Sequence, residues 1–113
     1  MATENLIYSN NWNNKLDCTL WIDIRKHSTF FEMGKFFDVI LKGIFKCRCQ
    51  IIHKATVPGK DIHEVLLWLC TGYSAAETIK ILCQMHKITP AEYYAKMWDV
   101  IYCKRIDRKN SDL

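Results

Sequence analysis

The run Phe45-Lys46-Cys47-Arg48-Cys49-Gln50-Ile51 alternates apolar or thiol side chains with basic or amide ones at every step. Successive side chains of a strand point to opposite faces, so this spacing predicts a strand that buries Phe45, Cys47, Cys49 and Ile51 and displays Lys46 and Arg48. Residues 20–25 obey the same rule, with Leu20, Ile22 and Ile24 on one side and Trp21, Asp23 and Arg25 on the other. Such strands commit the chain to a sheet with two chemically different faces. A cationic face that also carries an aromatic points to a nucleic-acid or nucleotide partner.

Strands are expected at 19–25, 36–42, 45–55 and 98–106, with turns at Gly34 and Gly43. Between the last two the period becomes helical. Asp61 reads as the N-cap of a helix through Val65-Leu66-Leu67-Trp68-Leu69, which Thr71-Gly72 ends. Ser74-Ala75-Ala76-Glu77 is a capping box ahead of an apolar stripe of Ile79, Leu82 and Cys83. Thr89-Pro90-Ala91-Glu92 starts a third helix, with proline at the favoured first position. Trp68 and Trp98 read as core. Residues 1–14 are rich in asparagine and read as a loose arm anchored by Leu6, Ile7, Tyr8 and Trp12. The expected organisation is an arm at 1–17, one domain at 18–106 and a frayed tail at 107–113. A sheet interrupted by a helical insertion and completed by a C-terminal strand is an α+β arrangement, with a small curled sheet or barrel.

Charge sharpens the picture. The net charge is +4, but residues 20–54 alone sum to +4 while residues 55–103 sum to −1. The strand-rich segment therefore carries the positive field. Six cysteines without a visible secretory signal read as thiols in a reducing compartment, cytoplasmic or nuclear, rather than as a disulfide scaffold. Cys47-Arg48-Cys49 is too tight for a structural zinc knuckle, so neither a metal nor another cofactor is expected. No apolar run approaches the ~20 residues that span a bilayer, and no membrane role is expected.

The series Ile22-Asp23-Ile24-Arg25-Lys26, Phe31-Glu32-Met33-Gly34, Phe37-Asp38-Val39, a basic strand at 45–51, Thr71-Gly72-Tyr73-Ser74-Ala75-Ala76-Glu77 and Val100-Ile101-Tyr102 resembles the ASCH domain, a member of the PUA-like superfamily. The similarity covers residues 18–106. It implies a small β-barrel with an inserted helical pair, and RNA or other nucleic-acid binding in a cleft between them. One branch of the family hydrolyses N4-acetylcytidine with a lysine, a threonine and a glutamate. Those positions fall at Leu20, Asp23 and near Thr71 here, and all three differ, although Arg25 is kept.

On this reading Arg25, Lys26, Lys42, Lys46 and Arg48 hold phosphates, with Lys54 beside them, and Trp21 or Tyr73 stacks a base. Tyr73 and Ser74 stand at a helix start, where backbone N–H groups favour an anion. Each has a plainer alternative. Asp23 and Arg25 can be a surface ion pair, the alternating lysines a solubility device, Trp21 packing and Ser74 only a cap. His63 and His86 read as ordinary helix positions. The expected function is RNA binding without catalysis, with single-stranded DNA as a further ligand. The alternative is a hydrolase or ribonuclease acting on RNA or a modified nucleoside in the same cleft, with Asp23, Lys26 or His27 as its catalytic groups. A protein-interaction role for the helical insertion is a third class.

Overall fold

The period-two segments form one sheet, and the helical segment covers one of its faces. The computed structural model describes residues 4–106, so the tail expected at 107–113 lies outside the described residues. The strands are β1 (Glu4–Tyr8), β2 (Leu20–Lys26), β3 (Phe36–Leu41), β4 (Ile44–Pro58) and β5 (Met97–Arg105). Between β4 and β5 lie α1 (Glu64–Thr71), α2 (Ala75–His86) and α3 (Pro90–Ala95), and short 3-10 turns occupy Trp12–Asp17 and Gly59–Asp61. The sheet order is β1-β3-β4-β5-β2. β1 runs parallel to β3, and every other pairing is antiparallel. The α+β class expected from the sequence is observed.

The helices begin and end for local reasons. The Ser74 side chain accepts from the Glu77 amide, and Thr89 and Glu92 form a reciprocal capping box with Pro90 in the first turn. Gly72 closes α1 in the left-handed region at φ 84°. The α1 cap differs from expectation. Asp61 belongs to a 3-10 turn, and His63 Nδ1 accepts from the Val65 amide instead.

The sheet curls, and its edge strands β1 and β2 face each other across a seam with no backbone ladder. Side chains bridge it: Arg25 Nη2 donates to the Ile7 carbonyl at 3.0 Å, and Trp21 Nε1 donates to the Tyr8 hydroxyl at 3.2 Å. Inside the curl, Leu6, Trp21, Phe37, Val39, Cys47, Cys49, Ile51, Ile101 and Cys103 form one core. On the outer face, Ile22, Ile24, Trp98 and Val100 pack against Leu67, Cys70, Leu82 and Tyr93 of the helices. β2 is thus buried on both faces, which corrects the expectation that Trp21 and Asp23 stand on a solvated one.

Three further expectations fail for identifiable reasons. The asparagine-rich arm contains strand β1, whose backbone is satisfied by β3, and Asn13 and Asn14 adopt φ of 58° and 54° in the turn after it. Asparagine tolerates that region better than most residues, so its abundance marks a turn rather than looseness. Phe45 is 55% exposed, because a register shift between Val39 and Ile40 breaks the alternation before Cys47. Leu20 and Trp68 are exposed as well, Leu20 at the start of β2 and Trp68 on α1's outer side. Cys47, Cys49 and Ile51 are buried as expected, and all six cysteines are thiols.

Candidate functional site

A buried ionic cluster lies at the seam. Asp23 accepts from Lys15 Nζ at 3.2 Å and from Arg25 Nε at 2.6 Å. Lys15 reaches it from the 3-10 turn, with its side chain only 5% exposed, and also lies 3.5 Å from the Cys70 thiol of α1. Burial pushes the Asp23 carboxyl up, but Arg25 and Lys15 outweigh it and hold the group well below the usual carboxylate range. Burial pushes Lys15 down, and Asp23 carries it back above its ordinary value. Burial, with Asp23 adding to it, raises the Tyr8 hydroxyl, whose ring lies 4.6 Å from the Arg25 guanidinium. At neutral pH the cluster is therefore a fixed carboxylate between two fixed cations.

Above the cluster a pocket of about 130 Å³ opens between the seam and α2. Tyr8, Trp12, Arg25, Cys70, Thr71 and His86 are among its lining residues. A dry cavity of about 150 Å³ holds one benzene, so this volume suits a single ring. Trp12 stands edge-on to Tyr73 at 5.8 Å, and His86 stands edge-on to Trp98 at 5.0 Å. Burial lowers the pKa of His86, and Lys26, Lys96 and Arg25 lower it further. The strand register explains this convergence, because Lys26 pairs with Trp98, the residue on which His86 rests. A larger hollow of about 260 Å³ lies beyond Lys15 and is walled mainly by Leu20, Trp21, Ile52, Leu69 and Tyr102. Its wall is mostly hydrocarbon, and the charged seam residues Asp23 and Arg25 line the smaller pocket instead.

A second polar cluster lies at the far end of β2. Asp99, fully buried, accepts from Thr56 Oγ1 at 2.7 Å and from the Ser28 amide at 2.9 Å. His27 Nδ1 lies 2.9 Å from the same carboxylate, and Lys54 Nζ lies 3.5 Å from it. Burial pushes Asp99 up, but its hydrogen bonds from Thr56, His27 and Ser28 hold it below the usual carboxylate range. The His27 side chain is 47% exposed. The cluster ties down the loop whose Phe30 and Phe31 pack on Phe37 and close that end of the interior core.

The residues expected to bind nucleic acid are thus dispersed. Arg25 lines the pocket, and Lys26, exposed at the end of β2, is near enough to the lining His86 to lower its pKa. Lys46 is paired to Asp17 at 2.5 Å, and Arg48 to Asp38 at 3.1 Å. Lys42, exposed, forms the β3–β4 turn with Gly43, their φ values being 52° and 79°. Trp21 is buried in the interior core and contributes to the wall of the larger hollow rather than to the seam pocket. Tyr73 is 45% exposed beside Trp12, and Ser74 serves as the α2 cap. Lys15, Tyr8, Trp12 and His86 complete the site although the sequence did not single them out for it. An acid amid the apolar residues of β2 was the available signal, since a buried Asp23 requires a cation. No group of three or more His, Cys, Asp or Glu residues able to hold a metal ion occurs among the described residues.

No family model, no curated protein and no solved structure matches this chain.

Proposed function

We propose that the chain is an RNA-binding module of the ASCH/PUA-like kind, in which the curled sheet stands for the barrel and the seam pocket receives one unstacked base. The observation that carries this reading is the pocket itself: ring-sized and lined by Tyr8, Trp12 and Arg25, with Lys26 and Lys96 near enough to the lining His86 to lower its pKa. Single-stranded RNA is recognised by splaying bases onto aromatic and guanidinium planes, while lysines neutralise phosphates. Single-stranded DNA offers the same base and phosphate chemistry and is the second ligand of this reading.

The pairing of Lys46 with Asp17 and of Arg48 with Asp38 moves the phosphate path away from β4 and toward Lys26 and Lys96. Anisotropy titrations of single-stranded RNA across a salt series test this. Lys26→Glu/Lys96→Glu is expected to weaken binding and reduce the salt slope by about 2. Lys46→Glu/Arg48→Glu should alter both much less. Equal effects of the two double variants refute the seam as the interface.

Hydrolysis of RNA is the second reading, favoured by one observation: buried Asp99 holds His27 Nδ1 and leaves its other ring nitrogen for a general-base role. Its test is RNA incubated with the protein and run on a gel. Cleavage abolished by His27→Ala with folding intact supports it, and intact strands with the wild-type protein exclude it.

A further inference from the structure

Three cations, Lys26, Lys96 and Arg25, act on the His86 ring that lines the seam pocket. His86 ends α2 and lines the pocket with its ring against Trp98. Lys26 at the end of β2 pairs with Trp98, the residue His86 rests on, and Lys96, the α3 C-cap, stands two residues before Trp98. Arg25 lies inward of them on the pocket wall. We infer that His86, Lys26 and Lys96 form a phosphate subsite at the pocket mouth, taking the phosphate attached to the nucleotide whose base occupies the pocket. This rests on the RNA-binding reading above and adds to it the phosphate's position and a proton.

Consider what the imidazole experiences. In the unliganded protein it is half-buried among three cations, an arrangement that favours its neutral form. A phosphate seated among the same cations reverses the local field and favours imidazolium, which then donates a charge-assisted hydrogen bond to the phosphate oxygen. Binding thus takes up one proton at His86. The other charged or titratable groups facing this space are Lys26, Arg25 and Asp23 of β2, Tyr8 of β1, Cys70 of α1 and Lys96 of the α3–β5 link. Among these, Arg25, Tyr8 and Cys70 are raised and Asp23 is held far into acid. Imidazole is the side chain of this set whose ordinary value lies nearest neutrality.

The phosphate can belong to a terminal monoester or to a backbone diester, and the ligand series separates them. Isothermal titration at pH 6 and pH 8 uses the four ribonucleosides, their 5′-monophosphates and the matching dinucleoside monophosphates, with the His86 ring signal followed by NMR. The phosphate-bearing ligands should bind more tightly than the nucleosides, with roughly three- to tenfold tighter binding at pH 6 than at pH 8, one unit of pKa rise being worth up to tenfold. The diester does not titrate in this range, so its pH response isolates the protein. A monoester that outbinds the diester identifies a terminal phosphate, and the reverse identifies a strand passing through. His86→Gln should abolish the pH response of diester binding, and Lys26→Gln/Lys96→Gln should remove the advantage of the phosphate. Nucleotide or RNA binding that is independent of pH, with an unmoved His86 signal, overturns the subsite and leaves the RNA reading standing. Absence of binding by nucleosides, nucleotides and RNA alike overturns both.

Discussion

Asp23→Ala should be among the most damaging single substitutions in this protein. The Lys15 ammonium that Asp23 neutralises is 5% exposed, and its other polar neighbour is the Cys70 thiol, a poor acceptor. Arg25 is less dependent, being a quarter exposed and bonded also to the Ile7 carbonyl. Removing the carboxylate therefore strands a buried lysine, a change that costs about 3–5 kcal/mol. That is a large part of the ~5–15 kcal/mol that stabilises a domain. At about 4 °C per kcal/mol it lowers Tm by roughly 12–20 °C. Lys15→Met behaves differently, because Asp23 keeps the Arg25 contact at 2.6 Å and the Ile24 amide at 3.0 Å. The double variant Lys15→Met/Asp23→Ala should accordingly be more stable than Asp23→Ala alone by about 2 kcal/mol. Urea unfolding followed by tryptophan fluorescence measures all three. The pH dependence has a definite sign. The Asp23 carboxyl is lowered in the folded state, so its stabilisation is complete above the unfolded value of about 3.9 and is lost as pH falls through the folded value. Below pH 4 the wild type should lose stability more steeply than Asp23→Ala does. A loss under ~1 kcal/mol at pH 7, or a double variant as unstable as the sum of the singles, refutes the buried cluster.

Two further substitutions test the helix-side core. In Gly59→Ala the new Cβ lands far inside van der Waals contact distance of the Tyr93 carbonyl oxygen, while the Gly59 amide is held to the Lys96 carbonyl at 2.9 Å. Neither backbone segment can yield, so Tm should fall by an amount equivalent to about 3 kcal/mol, and an unchanged Tm refutes that close approach. Tyr93 is fully buried, its hydroxyl has no hydrogen-bond partner among the described residues, and burial pushes its pKa up to about 12. Tyr93→Phe should therefore stabilise by about 1 kcal/mol in thermal unfolding, and a loss of that size shows that the hydroxyl is satisfied.

What the sequence disclosed follows the range of the interactions involved. Ser74 and Thr89 cap helices three residues away, and both starts were legible because the cap and its partner lie in one short motif. The alternation Cys47-Arg48-Cys49-Gln50-Ile51 likewise specified β4 and its buried face. β1 was illegible because a five-residue parallel edge strand owes its existence to β3, which lies some thirty residues on in the chain. The same holds for the site. Asp23 and Lys15 are eight residues apart, but Cys70 and His86 meet them only because α1 and α2 fold back over β2. Alternation assigned Trp21, Asp23 and Arg25 to one face correctly, but alternation cannot tell which face meets water when a sheet curls. The curvature that buries Trp21 brings the edges β1 and β2 within side-chain reach without joining their backbones. Arg25, anchored by Asp23 on its own strand, bridges that gap to Ile7 and closes the seam with a charge rather than a ladder. The pocket lies there because a seam left unpaired between strands is where polar side chains can be both fixed and accessible.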